Sequence, residues 1–75
     1  MDSGIITGPD LRECMCCGGW YIEINHNTFR FSDLPANSNL DLWNENLPIY
    51  VELTWKKNEN GCLGDEIFIE YLKKK

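Results

Sequence analysis

Four segments of the chain alternate between apolar and polar residues with the period of two that is typical of β-strands. They are residues 20–24, 28–32, 49–55 and 66–72, all short and rich in β-branched and aromatic side chains. In the clearest of them one face consists of Ile49, Val51, Leu53 and Trp55. The pattern also predicts a weaker fifth strand at residues 4–7, which ends at a Gly-Pro pair.

The connections between the last strands and between the second and third strands are typical of hairpins. Residues 25–27 are Asn-His-Asn between two alternating runs. Asparagine tolerates a left-handed backbone, so these residues predict a tight turn. Residues 56–65 contain two asparagines and two glycines, which predicts a longer hairpin loop.

The segment between the third and fourth strands is unusually apolar for a loop. Residues 33–48 contain Leu34, Leu40, Leu42, Trp43 and Leu47. The sequence therefore predicts a partly buried connection, either irregular or with one helical turn around residues 39–44. Ser38 or Asn39 would cap such a turn, because their side-chain oxygens accept orphan backbone N–H groups.

The order of these elements predicts the fold class. Three strands, a connection and two further strands match a five-stranded, partly open Greek-key barrel of the OB type. An open antiparallel sandwich or meander is the alternative. The 75 residues make a single domain, residues 1–75, whose core rarely supplies more than ~3–5 kcal/mol. Such a small all-β domain usually needs a disulfide, a metal or a partner.

Charge argues against nucleic acid as a partner. The chain has 7 Lys+Arg and 12 Asp+Glu, for a net charge of −5. Three of the basic residues are Lys73, Lys74 and Lys75, so residues 1–72 carry four basic and twelve acidic groups, a net charge of −8. That body repels phosphate backbones, and the three lysines are expected to form a solvated end. No apolar run reaches the ~20 residues of a membrane helix.

The densest chemical feature is a set of four cysteines, namely Cys14, Cys16, Cys17 and Cys62. An even number in a short chain with a small core predicts two disulfides. Cys17 precedes the strand that starts at Trp20, Cys62 precedes the last strand, and these two strand entrances can meet at one end of a barrel. A Cys17–Cys62 bridge would close ~46 residues and contribute roughly 4 kcal/mol.

The sequence leaves the pairing of the cysteines open. With Cys17 bonded to Cys62, Cys14 would pair with Cys16; with Cys16 bonded to Cys62, Cys14 would pair with Cys17. Only the strained bridge between the adjacent Cys16 and Cys17 is disfavoured.

Two other roles for the cysteines are less consistent with their spacing. A zinc site would use the same four thiolates, but structural zinc ribbons need two C-x₂₋₄-C pairs, and the second half offers only Cys62. A redox-active Cys14-x-x-Cys17 pair would need a helix to lower a thiol pKa, and Gly18-Gly19 argues against one. We therefore expect neither a metal nor a cofactor, with zinc as the alternative.

Aromatic residues on the outward registers are candidates for a binding face. Trp20, Phe29, Phe31 and Trp55 fall on inward registers and predict core. Tyr21, Trp43, Tyr50 and Phe68 fall on the opposite registers or in the long connection. Exposed aromatic patches mark ligands or partners, and OB barrels use such a face. The acidic body favours a sugar, a peptide or a protein as the ligand.

Several spaced motifs run through residues 14–72. They are Cys14-x-Cys16-Cys17-Gly18-Gly19-Trp20-x-Ile22-x-Ile24, Phe29-x-Phe31-x-x-Leu34-Pro35, Pro48-x-x-Val51-x-Leu53, Gly61-Cys62 and Ile67-x-Ile69. This combination resembles small cysteine-containing lipoproteins of Bacteroidota. Its most distinctive pieces are the cysteine–glycine–tryptophan entrance, the Leu-Pro pair and the cysteine before the last strand.

The resemblance implies an OB-like barrel in an extracytoplasmic location, periplasmic or anchored to the outer membrane, after removal of a signal peptide. It also implies that a cysteine near the first strong strand pairs with one before the last. It implies no established activity. Residues 1–4 show neither a signal peptide nor a lipid-attached cysteine, so the sequence itself predicts either a cytosolic chain or one whose targeting segment is absent.

These observations together predict a non-enzymatic, monomeric binding or interaction module of the cell envelope, stapled by disulfides. No serine or carboxylate pattern points at His26, the single histidine, so no catalytic residue is predicted. The alternatives are a zinc-stabilised cytosolic β domain and a thiol–disulfide redox protein.

Overall fold

The computed structural model describes residues 1–36, 38 and 40–75, and it forms five β-strands. They are β1 (Asp2–Pro9), β2 (Trp20–Ile24), β3 (Asn27–Phe31), β4 (Ile49–Lys57) and β5 (Ile67–Lys74). The period-two segments all form strands, which confirms the all-β class. The weak signal at residues 4–7 lies inside an eight-residue strand, because β1 is hydrogen-bonded on both edges and pairing extends it beyond its apolar residues.

The five strands form one sheet in the order β3-β2-β1-β4-β5, and all neighbours are antiparallel. The sheet curls until its two outer strands meet at one end. There the Arg30 N–H donates to the Asp65 carbonyl oxygen at 2.8 Å, and Arg30 pairs with Glu66 in a parallel bridge. This is the predicted partly open barrel of the OB type, in which β3 and β5 close against each other at one point.

The inner face of the curled sheet holds the core. Side chains of β2 alternate in burial along the strand, as the period of two requires. The fully buried side chains include Phe31, Ile6, Ile22, Ile24, Ile49, Leu53 and Val51. Gly4 lies among them because a Cβ at this position would come within 3.0 Å of Ile22 Cδ1. The interior of the barrel is thus filled by side chains, and a side chain at Gly4 would have to displace Ile22 or Leu53.

The hairpin between β2 and β3 confirms the predicted tight turn. Asn25 and His26 have φ of 52° and 69°, which is the left-handed pair of a type I′ turn. His26 is exposed at the tip of this turn. The register Ile24–Asn27 follows directly from the two-residue loop.

The connection between β3 and β4 is partly buried but not helical in its described part. Leu42 is buried and Leu34 and Leu40 pack against the core, as predicted. The helical turn is not found, because the Asn44 N–H donates to the Asp41 carbonyl oxygen at 3.0 Å and the pattern does not continue. A single turn of four residues does not overcome the cost of helix nucleation.

One of the two predicted capping residues of this connection can be placed. The Ser38 hydroxyl accepts a hydrogen bond from the Leu40 N–H at 3.3 Å, and so stabilises a local turn. Asn39, the other predicted cap, lies outside the described residues.

The lysines at the end of the chain are exposed, as predicted, but they are not a free tail. Lys73 and Lys74 belong to β5 and pair with Glu52 and Val51 of β4. The Lys75 N–H donates to the Tyr50 carbonyl oxygen at 2.9 Å. Strand pairing thus places a row of positive charge along the end of β5.

The described residues contain no helix of the length and apolarity that crossing a membrane requires.

Candidate binding site

The four predicted cysteines form two pairs at disulfide distance. Cys14 pairs with Cys17, with Cα atoms 5.1 Å apart, and Cys16 pairs with Cys62, with Cα atoms 5.6 Å apart. Both separations lie within the usual range for disulfides. Of the two connectivities that the sequence left open, the structure adopts the one in which Cys16, rather than Cys17, reaches the β4–β5 loop.

The predicted zinc alternative finds no assembled site in the described part of the chain. Within residues 1–36, 38 and 40–75, no three or more His, Cys, Asp or Glu side chains are arranged to hold a metal ion. The sulfur atoms of Cys14, Cys16, Cys17 and Cys62 meet two by two instead of converging on one point.

A buried arginine on β3 organises the same end of the barrel. Arg30 lies on an outward register of β3, yet only 2% of it is exposed. Its Nε and Nη2 atoms donate to the two carboxylate oxygens of Asp65, both at 2.9 Å. This bidentate pair joins β3 to the β4–β5 loop across the open seam of the sheet.

The other side of the Arg30 guanidinium contacts the β1–β2 loop. Its Nη1 atom donates to Asp10 Oδ2 at 3.3 Å and to the Gly18 carbonyl oxygen at 3.0 Å. The Asp10 carboxylate also accepts from the Gly18 N–H at 3.1 Å and from the Arg12 side chain at 2.9 Å. Every buried side-chain N or O atom in the described residues has a hydrogen-bond partner.

These contacts shift the ionisation of both carboxylates in the same direction. Hydrogen bonds from the Arg12 side chain hold the pKa of Asp10 well below its usual range, against the opposing effect of burial. Hydrogen bonds from Arg30 likewise lower the pKa of Asp65. The pKa values of Arg12 and Arg30 are raised in turn by their partners. The four groups therefore remain charged and paired at neutral pH.

We call this region the stapled end: residues 10–19, residues 58–66 and Arg30. Its two loops are joined by the Cys16–Cys62 pair and by the Asp10–Arg30–Asp65 network. Gly19 has φ +77°, and a Cβ on it would collide with the Phe31 carbonyl oxygen. The loop therefore passes too close to the β3 backbone here for any residue other than glycine. The charged groups of this end are paired with one another, and their contacts hold the two loops and β3 together.

The four predicted binding-face aromatics lie in separate places. Tyr50 is the second residue of β4, whereas Phe68 pairs with Lys56 near the end of that strand, six residues and about 20 Å away. Tyr21 lies on the outer face of β2, with the Arg12 guanidinium 5.9 Å from its ring centre. Trp43 lies in the β3–β4 connection. In the described residues, close ring pairs join Trp43 to Trp20 and Phe29 to Trp55. The four predicted aromatics therefore form no close ring pair with one another.

Trp43 is the most exposed of the four. Its side chain is 73% exposed, compared with 55% for Tyr50 and 48% for Phe68. Its ring meets the buried Trp20 ring edge-on, with centroids 4.8 Å apart. A hydrogen bond from Asn44 to the Asp41 carboxylate lies beside it. The structure thus fixes a large apolar ring at the surface next to an oriented amide and carboxylate.

A cleft of about 350 Å³ opens between the β3–β4 connection and the end of β5. We call it the β5 cleft; Leu40 and Glu45 line it on one side, and Tyr71, Leu72 and Lys74 on the other. Its volume is in the range of small-ligand pockets. A smaller cavity of about 100 Å³ continues along the same strand, between Leu34 and Phe68.

Sequence reasoning did not identify the Arg30 network. An arginine in an alternating strand predicts an exposed side chain, and nothing in the spacing of Asp10 and Asp65 points to it. The only available signal is that both aspartates sit in the loops that carry the cysteines. If the cysteines bring those loops together, two carboxylates accompany them and a buried cation becomes stable there.

Comparison with known proteins adds no relative from which a role could be transferred: no protein-family model matches the chain, and neither the curated proteins nor the solved structures include a significant match.

Proposed function

We propose that this chain is a non-enzymatic binding or interaction module for a sugar, peptide or protein, stapled by two disulfides. The observation that carries the proposal is the Trp43 ring, 73% exposed and held against Trp20. Ordered, exposed aromatic rings are common anchors in ligand and protein interfaces, since they bury much apolar area at little entropic cost. Trp43 is held in this way, which is a reason to place ligand contact on the β3–β4 connection.

The distribution of ionisable groups supports a binding role over an enzymatic one. Enzymes place groups of shifted pKa in an accessible cleft. Here the groups with clearly shifted pKa are Asp10, Arg12, Arg30 and Asp65, and all lie in the closed network of the stapled end. They are engaged with one another and so serve the fold.

The paired cysteines support an extracytoplasmic location, in the periplasm or anchored to the outer membrane. Disulfides form and persist in oxidising compartments and are rare in the cytosol. The resemblance to small Bacteroidota lipoproteins, carried by the Cys14 to Trp20 entrance and by Cys62, agrees with the same location. Of the two rival roles, a zinc-stabilised cytosolic domain requires free thiolates, whereas a thiol–disulfide redox protein requires a pair that exchanges rapidly with other thiols.

Thiol counting and intact mass measured under native and denaturing conditions separate these roles. We expect no free thiol and a mass lower by two hydrogens for each of the two bridges. Four free thiols together with one bound zinc ion would replace this proposal by the zinc-stabilised domain. Rapid exchange with a glutathione couple would instead favour the redox role.

The binding role itself is tested by NMR titration of the indole N–H signal of Trp43. Glycans and extended peptides are added one at a time, and we expect at least one class to shift this signal at saturable concentrations. Trp43→Ala should then weaken binding by at least tenfold, since an anchor residue contributes more than one contact. Tyr50→Ala, which removes another exposed ring, is the matched control and should leave affinity unchanged. The proposal is contradicted if no glycan or peptide of the panel shifts the indole N–H signal of Trp43.

A further inference from the structure

β5 has one partner strand, on one of its edges only. In the sheet order β5 is the last strand, and its other edge meets β3 at the single bridge between Arg30 and Glu66. No backbone hydrogen bond joins Ile67–Lys74 to the described residues of the β3–β4 connection. Backbone groups on such an edge are ready to pair with an added strand.

The β5 cleft and the smaller cavity described above lie along this same edge. The smaller one borders the beginning of β5 at Phe68, and the β5 cleft borders its end from Tyr71 to Lys74. The β3–β4 connection forms the opposite wall of both. A groove that follows the edge of β5 on which the described residues place no further strand has the shape that an extended segment requires.

The charge of the groove selects among extended segments. Lys73 and Lys74 line the β5 cleft, and Lys75 follows directly, whereas the rest of the chain has a net charge of −8. Two carboxylates face this group: Glu45 is paired with Lys74 across the cleft, and Glu52 lies opposite Lys73 on β4. Both lysines are exposed, so the pair with Glu45 is weak and open to exchange for another carboxylate.

The other end of the groove carries both signs of charge. Asp33 and Glu66 line the smaller cavity, and Lys56 and Lys57 of β4 lie opposite Phe68 and Ile67. An extended segment therefore meets Lys73 and Lys74 at one end of β5 and a mixture of acidic and basic side chains at the other. A partner with carboxylates at one end of its paired segment fits this polarity, and the acidic body repels it from most of the remaining surface.

We propose that the edge of β5 binds an extended peptide segment, acidic at one end, which adds to the sheet as a sixth strand with its carboxylates beside Lys73 and Lys74. The proposal rests on the binding role proposed above and names the partner of that role. Backbone hydrogen bonds to β5 fix the position of the peptide along the edge, and Lys73 and Lys74 favour a peptide whose adjacent end is acidic.

The test uses three capped octapeptides, since β5 has eight residues. DEVTVTST, NQVTVTST and KKVTVTST share an alternating strand-forming body and differ only at one end. By isothermal titration at low salt we expect the acidic peptide to bind at least tenfold more tightly than the basic one. The double variant Lys73→Gln, Lys74→Gln should lose about tenfold in affinity for the acidic peptide, and added salt should remove the difference.

A matched variant separates this site from general charge effects. Lys56→Gln, Lys57→Gln makes the same change in net charge at two exposed lysines of β4 and should leave affinity unchanged. Backbone amides of β5 should gain protection from hydrogen exchange when the acidic peptide binds, because strand addition engages them.

Equal binding of the three peptides, an equal loss in the two lysine double variants, or unaltered exchange in β5 would each overturn the assignment. A dimer that protects β5 without peptide would also overturn it, since a second copy would then occupy the edge. If none of the peptides binds while a glycan still shifts Trp43, only the peptide assignment fails and the binding role stands.

Discussion

The two sides of the barrel seam, the stapled end and the β5 cleft, differ in how their polar and charged groups are paired. At the stapled end Arg30 is 2% exposed and makes four hydrogen bonds to Asp10, Gly18 and Asp65, and the Cys16–Cys62 pair, at disulfide distance, joins the same loops. Along β5, the described part of the connection leaves a cleft of about 350 Å³ and is joined to the strand by a surface ion pair of Lys74. The stapled end is closed by buried, specific contacts, whereas the β5 side keeps an open cleft.

This difference indicates where a ligand can bind. OB barrels commonly recognise ligands with the loops between strands one and two and between strands four and five. Here those two loops are the ones that Cys16 and Cys62 join and that Arg30 bridges. A ligand inserted between them would have to displace a buried ion pair, so the accessible apolar and charged groups along the connection and β5 are the better candidates for binding.

The largest expected effect on stability comes from the long-range disulfide. Cys16→Ser, Cys62→Ser opens a loop with a sequence separation of 46 and should lower the free energy of unfolding by about 4 kcal/mol. Cys14→Ser, Cys17→Ser, with a separation of 3, should cost about 2 kcal/mol on the same chain-entropy argument. Urea unfolding of both variants measures the difference. Equal losses would show that loop length is not what makes the long bridge stabilising.

Removal of the central arginine should be the next largest effect. Arg30→Ala leaves the buried Asp10 and the partly exposed Asp65 without this cation, and we expect a loss of about 3 kcal/mol in urea unfolding. Arg30→Lys restores charge but not the bidentate geometry and should recover only part of that loss. A neutral outcome for Arg30→Ala would mean that the Cys16–Cys62 bridge closes the seam alone.

Acid should remove the stability that the charged pairs of the stapled end contribute. The pKa values of Asp10 and Asp65 are lower in the folded chain than the ordinary value of 3.8. Groups shifted in this direction contribute stability that is present above the ordinary pKa and lost as pH falls through the folded pKa. Thermal unfolding midpoints should therefore be steady from pH 7 to about pH 5 and fall below about pH 4.

A carboxylate variant identifies the source of this acid sensitivity. Asp65→Asn should reduce the drop in the unfolding midpoint below about pH 4, because one of the two shifted groups is gone. The matched variant Asp33→Asn removes an exposed carboxylate on the other side of the seam and should leave the profile unchanged. An identical profile for Asp65→Asn and the parent chain would place the acid sensitivity elsewhere.

The smallest effect on stability should come from the exposed aromatic rings outside the stapled end. Trp43→Ala removes a mostly exposed ring and one edge-on contact with Trp20, so we expect a loss of about 1 kcal/mol. Tyr50→Ala should change the free energy of unfolding by no more than about 0.5 kcal/mol. A loss above about 3 kcal/mol for Trp43→Ala would show that the ring is part of the core and would remove the main reason for treating it as a binding anchor.

Much of the fold follows from local pattern. β2 has the predicted bounds Trp20–Ile24, and the Asn25-His26 turn has the predicted left-handed backbone. In both cases the determining interactions lie within a few residues of one another. The helical turn predicted around residues 39–44 is not found in the described residues for the same kind of reason, because a short segment with one hydrogen bond between Asp41 and Asn44 lacks neighbours that would extend it.

The candidate sites were less predictable than the strands. Tyr21, Tyr50 and Phe68 have outward registers and Trp43 lies in the long connection, but a strongly curled sheet turns outward residues of different strands in different directions. Whether they form one patch depends on curl and stagger, which the alternation does not contain. The β5 cleft depends on the path of residues 32–48, whose apolar content predicted burial but no route.

By itself the sequence determined the strand pattern, the tight hairpin, the need for covalent support and the concentration of positive charge at Lys73 to Lys75. These follow from side-chain period, backbone preference, chain length and charge, which are local or additive properties. The tertiary structure alone decided that Cys16 rather than Cys17 reaches Cys62, that Arg30 is buried, and that the edge of β5 faces a cleft. Those outcomes depend on how distant loops meet across the β3–β5 seam, and pairing over such separations is set by the geometry of the closed barrel.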